Sequence, residues 1–235
     1  MFRKEIEMKD KYFPILSNDK INVRTYFEEN GDLRFQKKGE VLSHPEAPIE
    51  GIHYIIKGNV DVFLMASNGR KKTIGIEIPG CLLGDVGTVE EEFQPVYYKA
   101  LTQLETRFIS KSDIKILLDN YPCIRDYILR SLSSKVMMLV GQLGQSCFSN
   151  AETKVGKLLL QFAYYFGRNN NQNGLQLIHF PISQQFVSDL AGINRVTVAK
   201  ILANFKEDGL IERVEGMYSI NIDKMEKLMA LLELC

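Results

Sequence analysis

Short stretches rich in apolar and β-branched residues recur along the chain from about residue 33 to residue 110. Turn residues separate them, and Asn68-Gly69 is the strongest signal for a tight hairpin. Lys38-Gly39, Lys57-Gly58 and Pro79-Gly80 mark further turns. Regularly spaced short strands with glycine turns predict a small β-sandwich or β-barrel. We expect strands at Val41–Ser43, Ile52–Ile56, Val60–Leu64, Thr73–Ile78, Tyr97–Leu101 and Thr106–Ile109.

Beyond this region the apolar residues follow a helical period. A short helix is expected to open at Ser112-x-x-Lys115 and to end before Pro122, because proline suits the first turn of a new helix. The new helix is expected to run to about Gln145, with apolar residues at alternating spacings of three and four. We interpret this stripe as a dimer seam, although a helix packed on its own domain gives the same short pattern. The stripe consists of Leu129, Leu132, Val136, Leu139 and Leu143.

A polar break at Cys147–Asn150 separates this helix from the C-terminal part of the chain. Asn150 is the expected N-cap of a helix over Ala151–Phe166, because an asparagine side chain accepts from the first free N–H groups of a helix. Arg168–Gly174 is predicted to be a loop. We therefore divide the chain into a β-domain at residues 1–110, a connecting helix at 111–147 and a C-terminal domain at 148–235.

The C-terminal domain contains the pattern of a helix-turn-helix. Ser183 is the expected N-cap of a short helix that ends at Ala191, Gly192 supplies the tight turn, and a second helix runs from Arg195 to about Lys206. Asp208-Gly209 ends this second helix. Two strands that meet around Glu215-Gly216 then form a wing, and we expect them at Leu210–Val214 and Met217–Ile222. The apolar residues expected to join the two helices are Phe186, Val187, Leu190, Ile193, Val198, Ile201, Leu202 and Phe205.

Charge does not mark the whole chain as a nucleic-acid binder, because 29 basic residues balance 29 acidic ones. A DNA-binding surface must therefore be local. The segment from Leu190 to Lys206 has three basic residues and no acidic one, and the second helix is expected to insert its start into a major groove. A winged domain that contacts protein is the alternative. The expected DNA-binding residues are Ser183, Gln184, Asn194, Arg195, Val196, Thr197 and Lys200.

Composition excludes several other classes. Hydrophobic residues make up 45% of the chain and charged residues 25%, as in globular proteins. The charged N-terminus lacks a signal-peptide core, and no apolar run is long enough to span a bilayer, so we expect a cytoplasmic protein without a membrane partner. The four cysteines and three histidines are scattered, which predicts no metal site and no cofactor. No nucleophile–base motif, P-loop or dinucleotide fingerprint is present, so we do not expect an enzyme.

The whole chain resembles the CRP/FNR family of bacterial transcription regulators. The helix-turn-helix and wing, from Ile182 to about Ile211, carry the most specific match. Gly51–Gly84 is similar to the family's cyclic-nucleotide-binding roll, with Lys57-Gly58, Pro79-Gly80 and then Gly84-Asp85 in the family's order. The resemblance implies an α+β fold. It consists of an N-terminal cyclic-nucleotide-binding-like β-roll, a long dimerisation helix and a C-terminal winged helix-turn-helix.

Departures from the family pattern bear on the effector. In members that bind cyclic AMP, an Arg-Ser or similar dipeptide after a Gly-Glu pair holds the cyclic phosphate. Here Asp85 replaces the glutamate, and Glu92–Tyr98 contains neither arginine nor serine. A buried phosphate without a cation is costly, so cyclic AMP is not expected. Oxygen-sensing members use an N-terminal cysteine cluster, and this chain has no cysteine before Cys81.

The segment from Gly192 to Lys200, with Val196 where glutamate is common, is similar to the CprK-type regulators, which bind halogenated phenols. In that subgroup a lysine of the central helix meets the phenolate, and Lys135 falls at the matching place. A small (halo)aromatic effector is therefore expected, although such a lysine could equally pair with a carboxylate or extend to solvent. The expected effector site, with both tyrosines facing the central helix, comprises Gly84, Asp85, Tyr97, Tyr98 and Lys135.

Together these features predict an effector-responsive regulator that binds a palindromic promoter site as a homodimer. The resemblance implies that an effector between the roll and the long helix shifts a population of conformations. It also makes RNA polymerase a candidate partner. Val196 cannot accept a hydrogen bond from cytosine, so we expect an A·T preference where it faces the groove. The alternative is a ligand-binding or scaffold protein whose winged helix contacts protein.

Overall fold

The computed structural model describes residues 23–45, 47–90, 96–169 and 175–232. The chain divides into two compact units, one within residues 10–140 and one that contains residues 141–235. Each unit is described by itself.

The first unit is a β-roll with helices on one side. Its strands form two antiparallel four-stranded sheets with the orders β1-β8-β3-β6 and β2-β7-β4-β5. The elements are α1 (Val23–Asn30), β1 (Asp32–Gln36), β2 (Val41–Ser43), β3 (Gly51–Lys57), β4 (Val60–Met65), β5 (Lys71–Glu77), β6 (Leu82–Leu83), α2 (Asp85–Glu90), β7 (Tyr97–Ala100), β8 (Leu104–Ser110), α3 (Lys111–Asn120) and α4 (Pro122–Phe148).

The six strands expected from the sequence are confirmed, with ends that differ by at most two residues. The hairpin at Asn68-Gly69 is also confirmed, since Gly69 has a φ of +78° that favours glycine and Ala66 donates its N–H to the carbonyl of Arg70. Strands β1 and β6 and helices α1 and α2 were not expected.

Two apolar clusters hold the roll together. One lies between the sheets and contains Ile55, Val62, Leu83, Tyr98 and Leu104. The other covers the opposite face of the first sheet with α1, α3 and α4, where Phe27 stacks on Tyr54 at 4.9 Å between ring centroids. Burial of large side chains on both faces of this sheet removes much apolar surface from water, which stabilises the unit.

Helix α3 begins at Lys111, one residue before the expected start at Ser112. Its N-cap is Ser110, whose hydroxyl accepts from the N–H of Asp113, and not Ser112. Ser110 is the last residue of β8 and has extended backbone, which is the conformation that an N-cap needs. Pro122 starts α4 as predicted, and α4 continues to Phe148, beyond the expected end at about Gln145.

Helix α4 presents two different faces between residues 124 and 143. One face packs on the roll and is buried at Ile124, Tyr127, Ile128 and Ser131. The other leaves large apolar side chains exposed, and these include four of the five residues of the stripe; Leu132 is half-buried. Leu132 packs partly against the apolar cluster of the roll, whereas the other four residues of the stripe stay exposed within the described part of the chain.

The second unit packs helices on a four-stranded antiparallel sheet with the order β11-β12-β10-β9. Asn150 caps α5 as predicted, because its Oδ1 accepts from the N–H of Thr153 at 2.8 Å. A Cβ added to Gly156 would lie 2.4 Å from Met229 Cε, so this glycine allows α8 to approach α5 closely. The elements are α5 (Ala151–Phe166), β9 (Gly167–Asn169), β10 (Leu175–Ile178), α6 (Gln184–Ala191), α7 (Arg195–Glu207), β11 (Ile211–Val214), β12 (Met217–Asn221) and α8 (Ile222–Leu232).

The prediction of a loop at Arg168–Gly174 is wrong for its first two residues. Arg168 and Asn169 belong to strand β9, which pairs with β10, and the rest of the segment lies outside the described residues. A polar segment becomes a strand when a partner strand is available for pairing. The composition of the segment does not reveal that partner, so the sequence predicted a loop. The final helix α8 was also not expected, although Met225 and Met229 stand one helical turn apart on its buried side.

Candidate DNA-binding surface and effector site

The turn between α6 and α7 is fixed by a set of local hydrogen bonds. Ser183 Oγ accepts from the N–H of Phe186 and begins α6. Gly192 ends it with a φ of +69°, and its N–H donates to the carbonyl of Ser188. The hydroxyl of Ser188 donates to the carbonyl of Ile193 at 2.6 Å. Because the turn is bound at both ends, the angle between the two helices is held without a ligand.

Helix α7 is anchored on one side and exposed on the other. Asn194 caps it, since Oδ1 accepts from the N–H of Val196 at 2.8 Å. Val198, Ile201, Leu202 and Phe205 are buried against the rest of the unit. Of the expected DNA-binding residues, those that are exposed are Ser183, Asn194, Arg195, Val196, Thr197 and Lys200, while Gln184 is half-buried.

A groove of about 560 Å³ lies along one flank of α7. Arg195 lines this groove and Lys200 does not. Five residues along an α-helix correspond to a rotation of about 140°, so the two cations leave the helix in different directions. The groove is bounded by the start of α6, by α7 and by the wing, and its lining comprises Ser183, Gln184, Gln185, Arg195, Ala199, Leu202, Ala203, Lys206, Ile211, Glu212, Arg213 and Tyr218.

Sequence reasoning missed Arg213 of the wing. Its guanidinium lies 4.8 Å from the centre of the Tyr218 ring, and it shares the groove with Arg195 and Lys206. A cation on an aromatic face is oriented by the ring. Glu212 precedes Arg213 in the sequence, so the charges of the two residues cancel when charge is summed along the chain. The excess of positive charge in the groove is therefore not visible in the sequence.

Four of the five expected effector-site residues meet where α4 contacts the roll. Lys135 Nζ lies 2.5 Å from Asp85 Oδ1 and donates to the carbonyl of Leu82 at 2.9 Å. The hydroxyl of Ser131, one turn earlier on α4, donates to Asp85 Oδ2 at 2.6 Å. Both oxygens of the fully buried Asp85 therefore accept from α4. Of the alternatives for Lys135, the structure shows pairing with a carboxylate.

Tyr98 and Gly84 complete this contact, because the N–H of Gly84 donates to the Tyr98 hydroxyl at 3.3 Å. Burial raises the pKa of Tyr98 to about 12, which keeps the phenol neutral. The expectation that both tyrosines face α4 is wrong for Tyr97. Its ring stacks on Phe63 with 4.9 Å between centroids, on the other face of β7, because successive side chains of a strand alternate.

Two further groups at this contact, Glu77 and Ser131, were not expected from the sequence. The carboxyl of Glu77, at the end of β5, has Oε1 3.7 Å from Lys135 Nζ. Burial raises the pKa of Glu77 above its ordinary value, in spite of the opposing effect of Lys135. Burial opposes the charge on Lys135, but the Asp85 and Glu77 carboxyls outweigh it and raise the pKa of the ammonium. Ser131 could have been found, because it stands four residues before Lys135 on one helix face. No sequence signal singles out Glu77.

The described residues contain no cluster of histidine, cysteine and carboxylate side chains that could hold a metal. Cys81, Cys123 and Cys147 form no disulfide. Within the described part of the chain, no helix is both long enough and apolar enough to cross a membrane. The stretch Glu92–Pro95, which is part of the segment that corresponds to the family's phosphate-binding dipeptide, lies outside the described residues.

Two protein-family models match the chain in the order that the fold shows. The model for the cyclic nucleotide-binding domain matches residues 33–121, which cover the roll and α3. The model for the Crp-like helix-turn-helix domain matches residues 153–231, which cover most of the second unit.

Known proteins agree with these matches. A "CRP-like cAMP-activated global transcriptional regulator" of Mycobacterium tuberculosis is 25% identical over 191 residues, which are 81% of this chain and 84% of that protein. The solved c-di-GMP responsive global regulator CLP of Xanthomonas campestris has a TM-score of 0.72 at 17% identity, and the match covers 84% of this chain and 97% of CLP. CprK complexed with OCPA has a TM-score of 0.67 at 16% identity, over 88% of this chain and 94% of CprK. At such identities these structures show the fold alone.

A nucleotide-binding-type roll joined through a long helix to a winged helix-turn-helix defines a DNA-binding transcription regulator. The chain belongs to the CRP/FNR family. The expected fold is confirmed, as is the expectation that the protein is a regulator and not an enzyme, since the relatives are transcription regulators. The more specific likeness to CprK-type regulators is not established, because CprK is one structural neighbour among many.

Proposed function

We propose that this regulator binds a palindromic promoter site in the cytoplasm as a homodimer and responds to a small molecule other than cyclic AMP. The observation that carries the DNA-binding part is the surface of α7. Its first two turns expose Arg195, Val196, Thr197 and Lys200 without an acidic neighbour, on a helix fixed by Asn194 and the Gly192 turn. Such a helix start fits the major groove.

Arg195 and Lys200 have different tasks in this proposal. The guanidinium fork of Arg195 reads one guanine through two hydrogen bonds, while Lys200 acts as a point charge toward a phosphate. Val196, which is 64% exposed, packs on a thymine methyl and relaxes the half-site toward A·T. Ser183 and Gln184, at the start of α6, lie beside the backbone of the same half-site.

Arg195→Ala is expected to abolish selectivity at one base position in a binding-site selection, because a bidentate contact contributes about 1–3 kcal/mol of discrimination. Lys200→Ala is expected to weaken all sites alike and to lower the salt slope of binding by about 1. The binding-site selection measures the first effect, and fluorescence-anisotropy titrations of palindromic DNA at several salt concentrations measure the second.

Lys227→Ala is the matched control, since Lys227 is exposed on α8 and does not line the groove. The proposal is wrong if the control variant changes binding as much as the Lys200 variant does. Absence of any salt-dependent binding to palindromic DNA would favour a scaffold whose winged helix contacts protein.

The exposed face of α4 supports the homodimer. Leu129, Val136, Leu139 and Leu143 are between 46% and 66% exposed, and they repeat at coiled-coil spacing. A contiguous apolar patch of this kind marks an interaction site, and pairing of two such helices buries it. RNA polymerase is the further partner that we propose for the DNA-bound dimer.

The effector is proposed to act where α4 meets the roll, at Gly84, Asp85, Tyr98 and Lys135, with Tyr97 on the far side of the same strand. Asp85 already accepts from Lys135 and Ser131, so a nucleotide sugar would have to compete with two donors of the same chain for this carboxylate. A small (halo)aromatic compound, which lacks a phosphate and a sugar, is the class that we propose instead. Its binding would shift the population of states of the α4 seam.

Calorimetric titration of the protein with cyclic AMP is expected to give no binding heat at micromolar concentration, because the sequence of Glu92–Tyr98 has no arginine for the phosphate and Asp85 is already bonded to Lys135 and Ser131. The Mycobacterium tuberculosis relative, described as cAMP-activated, is the positive control. Tight binding of cyclic AMP would overturn this part of the proposal and leave the DNA-binding part intact.

A further inference from the structure

The contact between α4 and the roll contains two carboxyl groups and only one ammonium group. Glu77 is 3% exposed, Asp85 is 0% exposed, and the side chain of Lys135 is 12% exposed. All three groups belong to the first unit, so this contact is formed within one compact body. With every group ionised, the cluster carries one uncompensated negative charge in the protein interior.

The hydrogen bonds at this contact favour one carboxyl over the other. Asp85 receives the ammonium of Lys135 at 2.5 Å and the hydroxyl of Ser131 at 2.6 Å. Glu77 has its nearer oxygen 3.7 Å from the ammonium, and its other oxygen, Oε2, is buried and has no hydrogen-bond partner within the described residues. The Cys81 thiol, a weak donor, is a further hydrogen-bond partner of Glu77, so the negative charge is better stabilised on Asp85 than on Glu77.

Among the described residues that act on Glu77, Lys135 is the one with a positive charge. Burial raises the pKa of the Cys81 thiol and of the Tyr98 and Tyr127 phenols, so all three stay neutral near neutral pH. An unpaired buried charge is costly, and protonation of one carboxyl removes that cost. The titratable groups that face Glu77 are Cys81 before β6, Asp85 of α2, Tyr98 of β7, and Tyr127 and Lys135 of α4.

We propose that Glu77 carries a proton in the folded protein and that loss of this proton weakens the attachment of α4 to the roll. An ionised Glu77 competes with Asp85 for the ammonium of Lys135, and the single cation cannot satisfy both. The connection between the sensing roll and the helix that presents the seam then responds to rising pH. This inference does not depend on the identity of the effector or of the DNA site.

The direction of the effect follows from linkage. The folded-state pKa of Glu77 lies above its unfolded value, so its contribution to stability is fully present below the unfolded pKa of about 4.3 and is lost as pH rises through the folded pKa. Glu77→Gln has nearly the same shape and cannot ionise. In the window between the two pKa values, the unfolding constant of the natural protein should rise tenfold per pH unit relative to that of the variant.

The experiment compares urea unfolding of the full chain and of Glu77→Gln between about pH 5 and about pH 9. We expect similar stabilities at the acid end and a variant that is increasingly the more stable as pH rises. Hydrogen exchange of residues 124–138, compared at equal pH, should be faster in the natural protein than in the variant at the alkaline end. A constant stability difference at all pH values would overturn the proposal.

A second measurement does not require the variant to fold. The infrared spectrum of the natural protein with isotope-labelled glutamate should show the carbonyl band of a protonated carboxylic acid at neutral pH. Where Glu77→Gln folds, it should lack this band, whereas Glu105→Gln, a half-buried site on β8, should retain it. Absence of the band from the natural protein would show that Glu77 is ionised and would overturn the proposal.

Discussion

Lys135→Met is expected to lower the free energy of unfolding by about 3–5 kcal/mol, which is the usual cost of removing one partner of a buried ion pair. The substitution leaves the Asp85 carboxylate fully buried and takes away the charged one of its two side-chain donors within the described residues, so that the Ser131 hydroxyl remains. It also removes the hydrogen bond to the carbonyl of Leu82. Urea unfolding at neutral pH measures the loss.

Lys115→Met on α3 is the control, because Lys115 is exposed and its charge faces solvent. We expect this substitution to change the free energy of unfolding by less than about 0.5 kcal/mol. Adding Asp85→Asn to the Lys135 variant should restore part of the stability, since a neutral amide is cheaper to bury than an unpaired carboxylate. A Lys135 variant as stable as its control would show that the cluster does not hold α4 to the roll.

Leu139→Glu is expected to convert the proposed dimer into a monomer and to abolish tight binding to palindromic DNA. Leu139 is 46% exposed within its own chain, so the glutamate is tolerated in the monomer. In a seam between two α4 helices, however, it would bury two unpaired carboxylates, one from each chain. Sedimentation velocity measures the loss of the dimer directly.

Ile116→Glu on α3 provides the comparison, because Ile116 is 58% exposed and lies outside the stripe. It should leave the sedimentation coefficient unchanged. If the Leu139 variant sediments as a dimer, the two copies of the chain meet somewhere other than the stripe. If it is a monomer that still binds a palindromic site as tightly, DNA binding does not need the seam.

Short-range signals predicted much of the secondary structure. A hairpin at Asn68-Gly69, a cap at Asn150 and a turn at Gly192 each depend on a residue whose backbone or side-chain chemistry acts within a few positions. Strand β6 shows the limit of such signals. It has two residues, and only its pairing with His53 and Tyr54 makes it a strand.

One error at the candidate sites came from geometry that the sequence does contain. Alternation along a strand places Tyr97 and Tyr98 on opposite faces, so only Tyr98 faces α4. The two tyrosines were expected to act together because they are adjacent in the sequence and alike in chemistry. The direction of a side chain decides which site it joins, and that direction follows from the strand or helix that carries the residue.

Local patterns in the sequence determined the order of roll, long helix and winged helix-turn-helix, as well as the apolar stripe on α4 and the lack of acidic residues from Leu190 to Lys206. Each of these is periodic or local, so neighbouring residues suffice to specify it. The family resemblance placed Asp85 and Lys135 in one expected site, but only the tertiary structure added Glu77 and paired the lysine with a carboxylate of its own chain. The three residues come from a strand, a short helix and the long helix. Their contact depends on how the two sheets pack against α4, because burial and charge balance act through space and not along the sequence.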